Sequence, residues 1–176
     1  MGVKADTRFQ LERLPSPLGE LALVLDGEGR LCTLGWTDLE ERWRRDLRLR
    51  HGADILLQAG AGRSRAAESL DAYFAGELTA LDGLPVDPGG TPFQRAVWSA
   101  LREIPAGTRL TYAQLAARLG RPSALRAVGH ANGANPISLV IPCHRLVGAD
   151  GSLTGYGGGL ARKRWLLAHE EGVALG

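Results

Sequence analysis

Apolar and polar positions fall into short runs along the first third of the chain. Arg8–Leu14, Glu20–Leu25 and Arg30–Trp36 each have the length and residue types of a strand. Pro15-Ser16-Pro17-Leu18-Gly19 and Asp26-Gly27-Glu28-Gly29 separate them and are rich in turn formers, which predicts an antiparallel meander. Residues 38–50 are dense in Arg and Glu and read as a solvated helix or loop. From about Ser64 to Phe74, Ala67, Leu70 and Phe74 share one face and predict a helix. Leu84-Pro85-Val86-Asp87-Pro88-Gly89-Gly90 has the composition of a linker and predicts a domain boundary, giving domains 1–88 and 89–176.

The second half carries a helical period. Thr91 reads as a cap with Pro92 at the first helical position. Phe93, Val97, Leu101 and Ile104 follow as a stripe, ended by Pro105-Ala106-Gly107. Thr111-Tyr112-Ala113-Gln114 fits a capping box and opens a helix through Leu115 and Leu119 to Gly120. Ser123 is expected to cap a third helix from Ala124 to about Asn132, stopped by Gly133. Two short helices joined by a tight turn are what a helix-turn-helix requires, and they also fit any compact helical domain.

Composition narrows the class. A chain of 176 residues, 44% hydrophobic and 23% charged, is neither mostly disordered nor long enough for many domains. No apolar run approaches the ~20 residues of a membrane-spanning helix. Met1–Gln10 is polar and has no apolar signal-peptide core, so a cytoplasmic location is expected. With only Cys32 and Cys143, a disulfide framework and a four-cysteine zinc site are both excluded. The net charge of +2 hides an asymmetry: residues 1–90 carry 11 Lys and Arg against 15 Asp and Glu, residues 91–176 carry 10 against 4. A basic half points to a polyanion partner; an Arg-rich coding bias, with 19 of 21 basic residues Arg, gives the same count.

Chemistry concentrates in Asn135-Pro136-Ile137-Ser138-Leu139-Val140-Ile141-Pro142-Cys143-His144-Arg145, where an apolar run delivers a cysteine and a histidine through a proline. A free thiol with a pKa near 8.5 is only about 3% thiolate at neutral pH. An imidazole nearby can take its proton. Adjacent side chains rarely point the same way, so a bridging water is the more natural link. The bare pair also fits a buried structural cysteine beside a surface histidine.

Pro142-Cys143-His144-Arg145, with Ile141 before it and Leu146-Val147-Gly148 after it, resembles the active-site motif of the O6-alkylguanine-DNA alkyltransferase family. Arg126-Ala127-Val128-Gly129, Asn132-Gly133, Asn135-Pro136, Gly155-Tyr156-Gly157-Gly158-Gly159 and Leu166-Leu167-Ala168-His169-Glu170 resemble it in order and spacing. The likeness is dense over residues 91–171. It is thinner before them, at Ser16-Pro17-Leu18-Gly19 and Tyr73-Phe74-Ala75-Gly76-Glu77-Leu78. The resemblance implies an α+β fold. Its N-terminal domain would be ribonuclease H-like, a small antiparallel sheet with a helix; its C-terminal domain, of winged helix-turn-helix type, would bind DNA and carry the active site.

The resemblance also implies roles. Cys143 is the nucleophile that takes the alkyl group and is not regenerated; His144 accepts its proton through a water, and Glu170 orients the histidine. Glu171 has no counterpart in that role. Tyr112 drives rotation of the damaged nucleotide and bonds the flipped base, and Arg126 fills the stack. Ala124, Ala127 and Gly129 give a smooth surface to the minor groove; Leu125 and His130 are larger than the family leads one to expect there. Asn135 is a hinge, and Tyr156, Gly157 and Gly158 close over the base. The Gly157 N–H meets O6, and the carbonyls of Cys143 and Leu146 accept from the exocyclic amine. Arg145 ties the active-site loop to the core, and Cys32 is a packed core thiol. The expected partner is duplex DNA containing O6-alkylguanine, and O4-alkylthymine is a second candidate substrate. The protein would act as a monomer with no cofactor, no metal and no membrane. A non-enzymatic sensor of alkylated DNA and a Cys/His hydrolase are the competing readings.

Overall fold

A computed structural model describes residues 8–60 and 62–172, so most of the polar N-terminal stretch lies outside the described residues. Strands β1 (Arg8–Leu14), β2 (Leu21–Leu25) and β3 (Leu31–Trp36) form the antiparallel meander expected from their turns. A fourth strand, β4 (Leu56–Ala59), was not anticipated; it pairs parallel with β1 and gives the order β3-β2-β1-β4. Three of its residues are exposed, so it carries no alternation to read.

Both faces of this sheet are covered, and β2 shows it. Leu21, Leu23 and Leu25 enter the main core, whereas Ala22 and Val24 enter a second cluster on the other face with Phe9, Cys32, Trp43 and Leu47. That is why β2 is apolar at every position. A bulge at Val24/Leu25 resets the phase of β3, so Leu34 and Trp36 join Leu31 in the main core.

Helix α1 (Glu40–His51) covers the second face. Reading residues 38–50 as a solvated helix or loop needs correction: Trp43 and Leu47, one turn apart, are buried against the sheet, and only the remaining faces are charged. Helix α2 (Arg65–Phe74) starts at the Ser64 cap, whose hydroxyl accepts from Ala67 N–H at 3.1 Å.

The expected linker is not free chain. Leu31 N–H donates to Pro85 O at 2.9 Å, Asp87 N–H donates to Leu31 O at 2.8 Å, and Leu84 is buried. The stretch thus covers part of the open edge of β3. Beyond it lie α3 (Pro92–Arg102), β5 (Leu110–Thr111), α4 (Tyr112–Arg118), α5 (Leu125–Gly133), β6 (Leu146–Val147) and α6 (Leu160–Glu170). Capping boxes at Thr91/Gln94 and Thr111/Gln114 open α3 and α4. The cap expected at Ser123 is a correction: Ala124 holds that position, without a side-chain bond, and Ser123 belongs to the preceding turn. One main core runs from Leu14 to Leu166 and includes residues of both halves.

Candidate active site

The edge of β3 also anchors the reactive segment. Leu34 N–H donates to Pro136 O at 3.0 Å and Ser138 N–H donates to Leu34 O at 2.9 Å. From there the chain makes two very tight turns. Val140 N–H donates to Ser138 O at 2.8 Å around Leu139, whose φ of 71° is the only positive value among described non-glycine residues. Cys143 N–H donates to Ile141 O at 2.8 Å around Pro142, at φ −80° and ψ 64°. This second geometry is an inverse γ-turn, which suits the fixed φ of proline. Asn135 closes the loop from inside: its Nδ2 donates to Ile141 O at 2.7 Å and its Oδ1 accepts from Ile137 N–H at 2.9 Å. Cys143 then begins a single 3-10 turn, Cys143–Arg145.

His144 is fully buried, and its Nε2 lies 2.9 Å from Glu170 Oε2. Arg145 donates to both oxygens of Glu170, at 2.9 and 2.8 Å, and Tyr73 O–H donates to Oε2 at 2.8 Å. Burial alone would raise the Glu170 pKa, but the bonds from Arg145 and His144 hold it well below the usual carboxylate range. An ionised Glu170 only accepts, so His144 carries its proton on Nε2 and keeps a lone pair on Nδ1. Nδ1 is buried and has no protein partner among the described residues. Burial lowers the His144 pKa despite Glu170, which leaves the ring neutral and able to accept. Glu171, one residue on, faces outward and pairs with Arg109 at 2.7 Å.

Burial pushes the Cys143 thiol up, opposed by a bond from the Asn135 side chain and by the charge of Lys163. Lys163 is itself fully buried and donates to Thr154 O at 2.7 Å. The resting thiol is therefore protonated, next to groups that favour its anion.

A cavity of about 70 Å³ opens onto Cys143. Asn135, Tyr156, Gly157 and Gly158 line it. Leu146 and Tyr112 do not: Leu146 is fully buried and Tyr112 packs half-buried against the core. The β5–β6 pairing, Thr111 opposite Val147, sets Tyr112 immediately beyond the ladder that receives the reactive segment. Gly158 is required where it stands, because a Cβ there would lie 2.7 Å from the Trp36 ring. Arg126 and Ala127 are exposed on α5, Ala124 and Gly129 are half-buried, and a Cβ at Gly129 would meet nothing within 4 Å.

Sequence reasoning missed the wall that the N-terminal half supplies. Trp36, Arg42, Trp43, Asp46 and Arg50 line the same cavity. Arg162 joins the two halves by donating to Leu18 O and Gly158 O, pairing with Asp38 at 3.0 Å and lying over Trp36. Tyr73, quoted only within the resemblance, is a partner of Glu170. Among the described residues one group has metal-ligand chemistry: Asp26, Cys32 and Asp87 bring ligand atoms within 4.8 Å of one another. Arg30 Nε sits 2.7 Å from Asp26 and its Nη2 3.8 Å from Asp87, so a guanidinium already neutralises that cluster.

A buried thiol, a histidine–carboxylate pair behind it and a helix-turn-helix beside it define a class of proteins with a cysteine nucleophile at a DNA-binding fold. Residues 12–88 match the family model described as 6-O-methylguanine DNA methyltransferase, ribonuclease-like domain. Residues 92–172 match that described as 6-O-methylguanine DNA methyltransferase, DNA binding domain. The chain belongs to the 6-O-methylguanine DNA methyltransferase family. It is 49% identical over 169 residues to the methylated-DNA–protein-cysteine methyltransferase of Salmonella typhimurium, covering 96% of this chain and 99% of that protein. It is 43% identical over 157 residues to that of Haemophilus influenzae, covering 89% and 83%. The solved Mycobacterium tuberculosis O6-methylguanine methyltransferase matches with a TM-score of 0.76 at 42% identity, covering 96% and 94%. The structure of M. tuberculosis OGT in complex with DNA matches with a TM-score of 0.77 at 40% identity, covering 94% and 93%.

Proposed function

We propose that the protein repairs DNA by moving an alkyl group from O6 of guanine onto Cys143, once per molecule. The observation that carries this reading is the Cys143 thiol at the cavity, backed by the neutral His144 that Glu170 holds. His144 accepts the thiol proton at Nδ1 through a water, and Glu170 stabilises the imidazolium. The Cys143 thiolate attacks the alkyl carbon; the new S–C bond forms as the C–O6 bond breaks, and guanine leaves with the electron pair. The Tyr112 hydroxyl hydrogen-bonds the base as negative charge develops on it. Asn135 fixes the loop that presents the thiol.

The base reaches the cavity by leaving the stack. Arg126 takes its place, Tyr112 crowds the adjoining phosphate, and Ala124, Ala127 and Gly129 lie against the minor groove. Tyr156, Gly157 and Gly158 close over the base, with the carbonyls of Cys143 and Leu146 accepting from its amine. Residues 89–176 carry the reaction and residues 1–88 buttress it. The protein acts as a monomer, in the cytoplasm with its DNA. The presence of Cys143 favours transfer over a non-enzymatic sensor.

Incubation with duplex DNA carrying O6-[methyl-labelled] guanine tests this reading. Label on Cys143 in a one-to-one ratio is the expected result. Binding without transfer would make the protein a sensor, and neither binding nor transfer would leave the hydrolase.

A further inference from the structure

A second cleft lies between α1 and α5, sharing Arg42, Asp46, Arg50 and Gly133 with the Cys143 cavity but not reaching Cys143 itself. Arg42, Arg45 and Arg50 enter it from α1, and Gly129, His130 and Gly133 from α5, with Asp46 as its one carboxylate. Two of the arginines fix its shape. Arg42 donates to Gly133 O at 3.3 Å and Arg50 to Ala134 O at 2.8 Å, so both cap carbonyls at the C-terminal end of α5. Arg50 also lies over the Trp98 ring. Arg45 and His130 are exposed, and no ion pair engages Arg45 among the described residues.

This concentration runs against the half that supplies it. Residues 1–90 hold more acidic than basic side chains, yet three of their arginines gather where α1 faces α5. Arg13, Arg30 and Arg44 are each matched to a carboxylate elsewhere on that half; those turned toward α5 bond carbonyls or nothing. The floor of the cleft is small, since Gly129 leaves open space above α5. A groove that is cationic, shallow and rigidly clamped to a helix fits a chain of phosphates rather than a packed apolar partner.

We propose that the α1–α5 cleft is a phosphate track that carries the sugar–phosphate backbone of duplex DNA onto the N-terminal half, with Arg45 as its free cation. The proposal rests on the reading that α5 lies against DNA, and it deepens that reading. The N-terminal half then contributes affinity directly, beyond buttressing the reactive segment. Arg45 contacts backbone, so its contribution is independent of base sequence and of damage.

The test is the salt dependence of binding to an undamaged duplex by the full chain, for the parent and for Arg45→Ala, Arg45→Lys and Arg45→Glu. Each phosphate contact adds about 0.9 to the slope of log affinity against log salt. Removing one contact should therefore make the loss of affinity between about 50 and 200 mM salt roughly 3.5-fold smaller for Arg45→Ala than for the parent. Arg45→Lys should keep the parental slope, and Arg45→Glu should bind more weakly than Arg45→Ala. Transfer from free O6-benzylguanine monitors folding and is expected at the parental rate in all three. An unchanged slope in Arg45→Ala, with that rate intact, overturns the track. A parent that binds no duplex overturns instead the reading on which the track rests.

Discussion

Glu170 Oε2 stands 2.9 Å from His144 Nε2, and both side chains are shut off from solvent. The same carboxylate takes two bonds from Arg145 and one from Tyr73, so it is a hub for α2, α6 and the reactive turn as well as a partner of the histidine. Its two tasks give separable predictions. Losing the proton acceptor should raise the pH at which Cys143 ionises, each pH unit corresponding to about 1.4 kcal/mol. His144→Ala should therefore shift the pH–rate profile of Cys143 alkylation upward, with part of the rate returning at high pH. Glu170→Gln should shift it the same way. It should also destabilise the fold by about 3–5 kcal/mol, because Arg145 is left buried without its anion. Glu171→Gln should alter neither profile nor stability appreciably, since its pair with Arg109 is at the surface.

Tyr73 isolates the structural task. Its hydroxyl donates to an ionised, buried acceptor, and a hydrogen bond of that kind contributes about 1.5–3 kcal/mol. Tyr73→Phe should lower unfolding stability by about that amount in urea titration. Its pH–rate profile should stay near the parent's, because His144 and Arg145 still hold Glu170.

Stability should depend on pH with a definite sign. Burial holds the folded-state pKa of His144 below its unfolded value, and Arg145 and His144 hold that of Glu170 below its own. In both cases the unfolded chain takes the proton first. Stability is thus fully present above about pH 6.5, falls as His144 is protonated in the unfolded state, and falls further below about pH 4.3 through Glu170. Each group contributes a slope of up to about 1.4 kcal/mol per pH unit. Urea titrations at a series of pH values should show a shallower first fall in His144→Ala than in the parent; part of it remains, because burial lowers the His51 pKa as well.

The two cysteines should behave as opposites. Burial, with Asp26 and Asp87, pushes the Cys32 thiol up to about 12, and its Sγ donates to Arg30 O at 3.8 Å. Cys32→Ser should transfer alkyl groups at close to the parental rate. Cys143→Ala should bind duplex and accept nothing, as read by the mass of the protein after reaction with O6-benzylguanine. A Cys143→Ala protein that still gained a benzyl group would falsify the assignment of the nucleophile.

Legibility in the sequence tracked how local each cause was. Strands β1 to β3 and the caps of α2, α3 and α4 stand within a few residues of their own signals. Strand β4 exists because β1 offers it an edge, and its side chains record nothing of that pairing. In α1 the buried Trp43 and Leu47 are outnumbered by charges, so the helix looked solvated and its wall of the cavity went unseen. The choice between Glu170 and Glu171 could be made from the motif alone. Its physical basis is the buried Arg145 and Tyr73, which lie 25 and 97 residues away along the chain.

Arg126 is where surface chemistry and repair should part. It lies in the first turn of α5, exposed, on a helix whose neighbouring positions are mostly small. A guanidinium so placed can stand in the stack when a nucleotide leaves it, and that task exists only in a duplex. Rotating a base out costs a few kcal/mol. If Arg126 offsets about 1.4–2.8 kcal/mol of this, Arg126→Ala should lose about ten- to a hundredfold in the second-order rate on duplex O6-methylguanine. On free O6-benzylguanine the rate should hold, because no stack is opened and the Cys143, His144 and Glu170 geometry is untouched. Arg126→Lys should recover little, since a point charge cannot replace a planar group between bases. Both rates are measured in single-turnover reactions on the same preparation. Equal losses on the two substrates would mean that Arg126 acts on the fold of α5 and has no place in the stack.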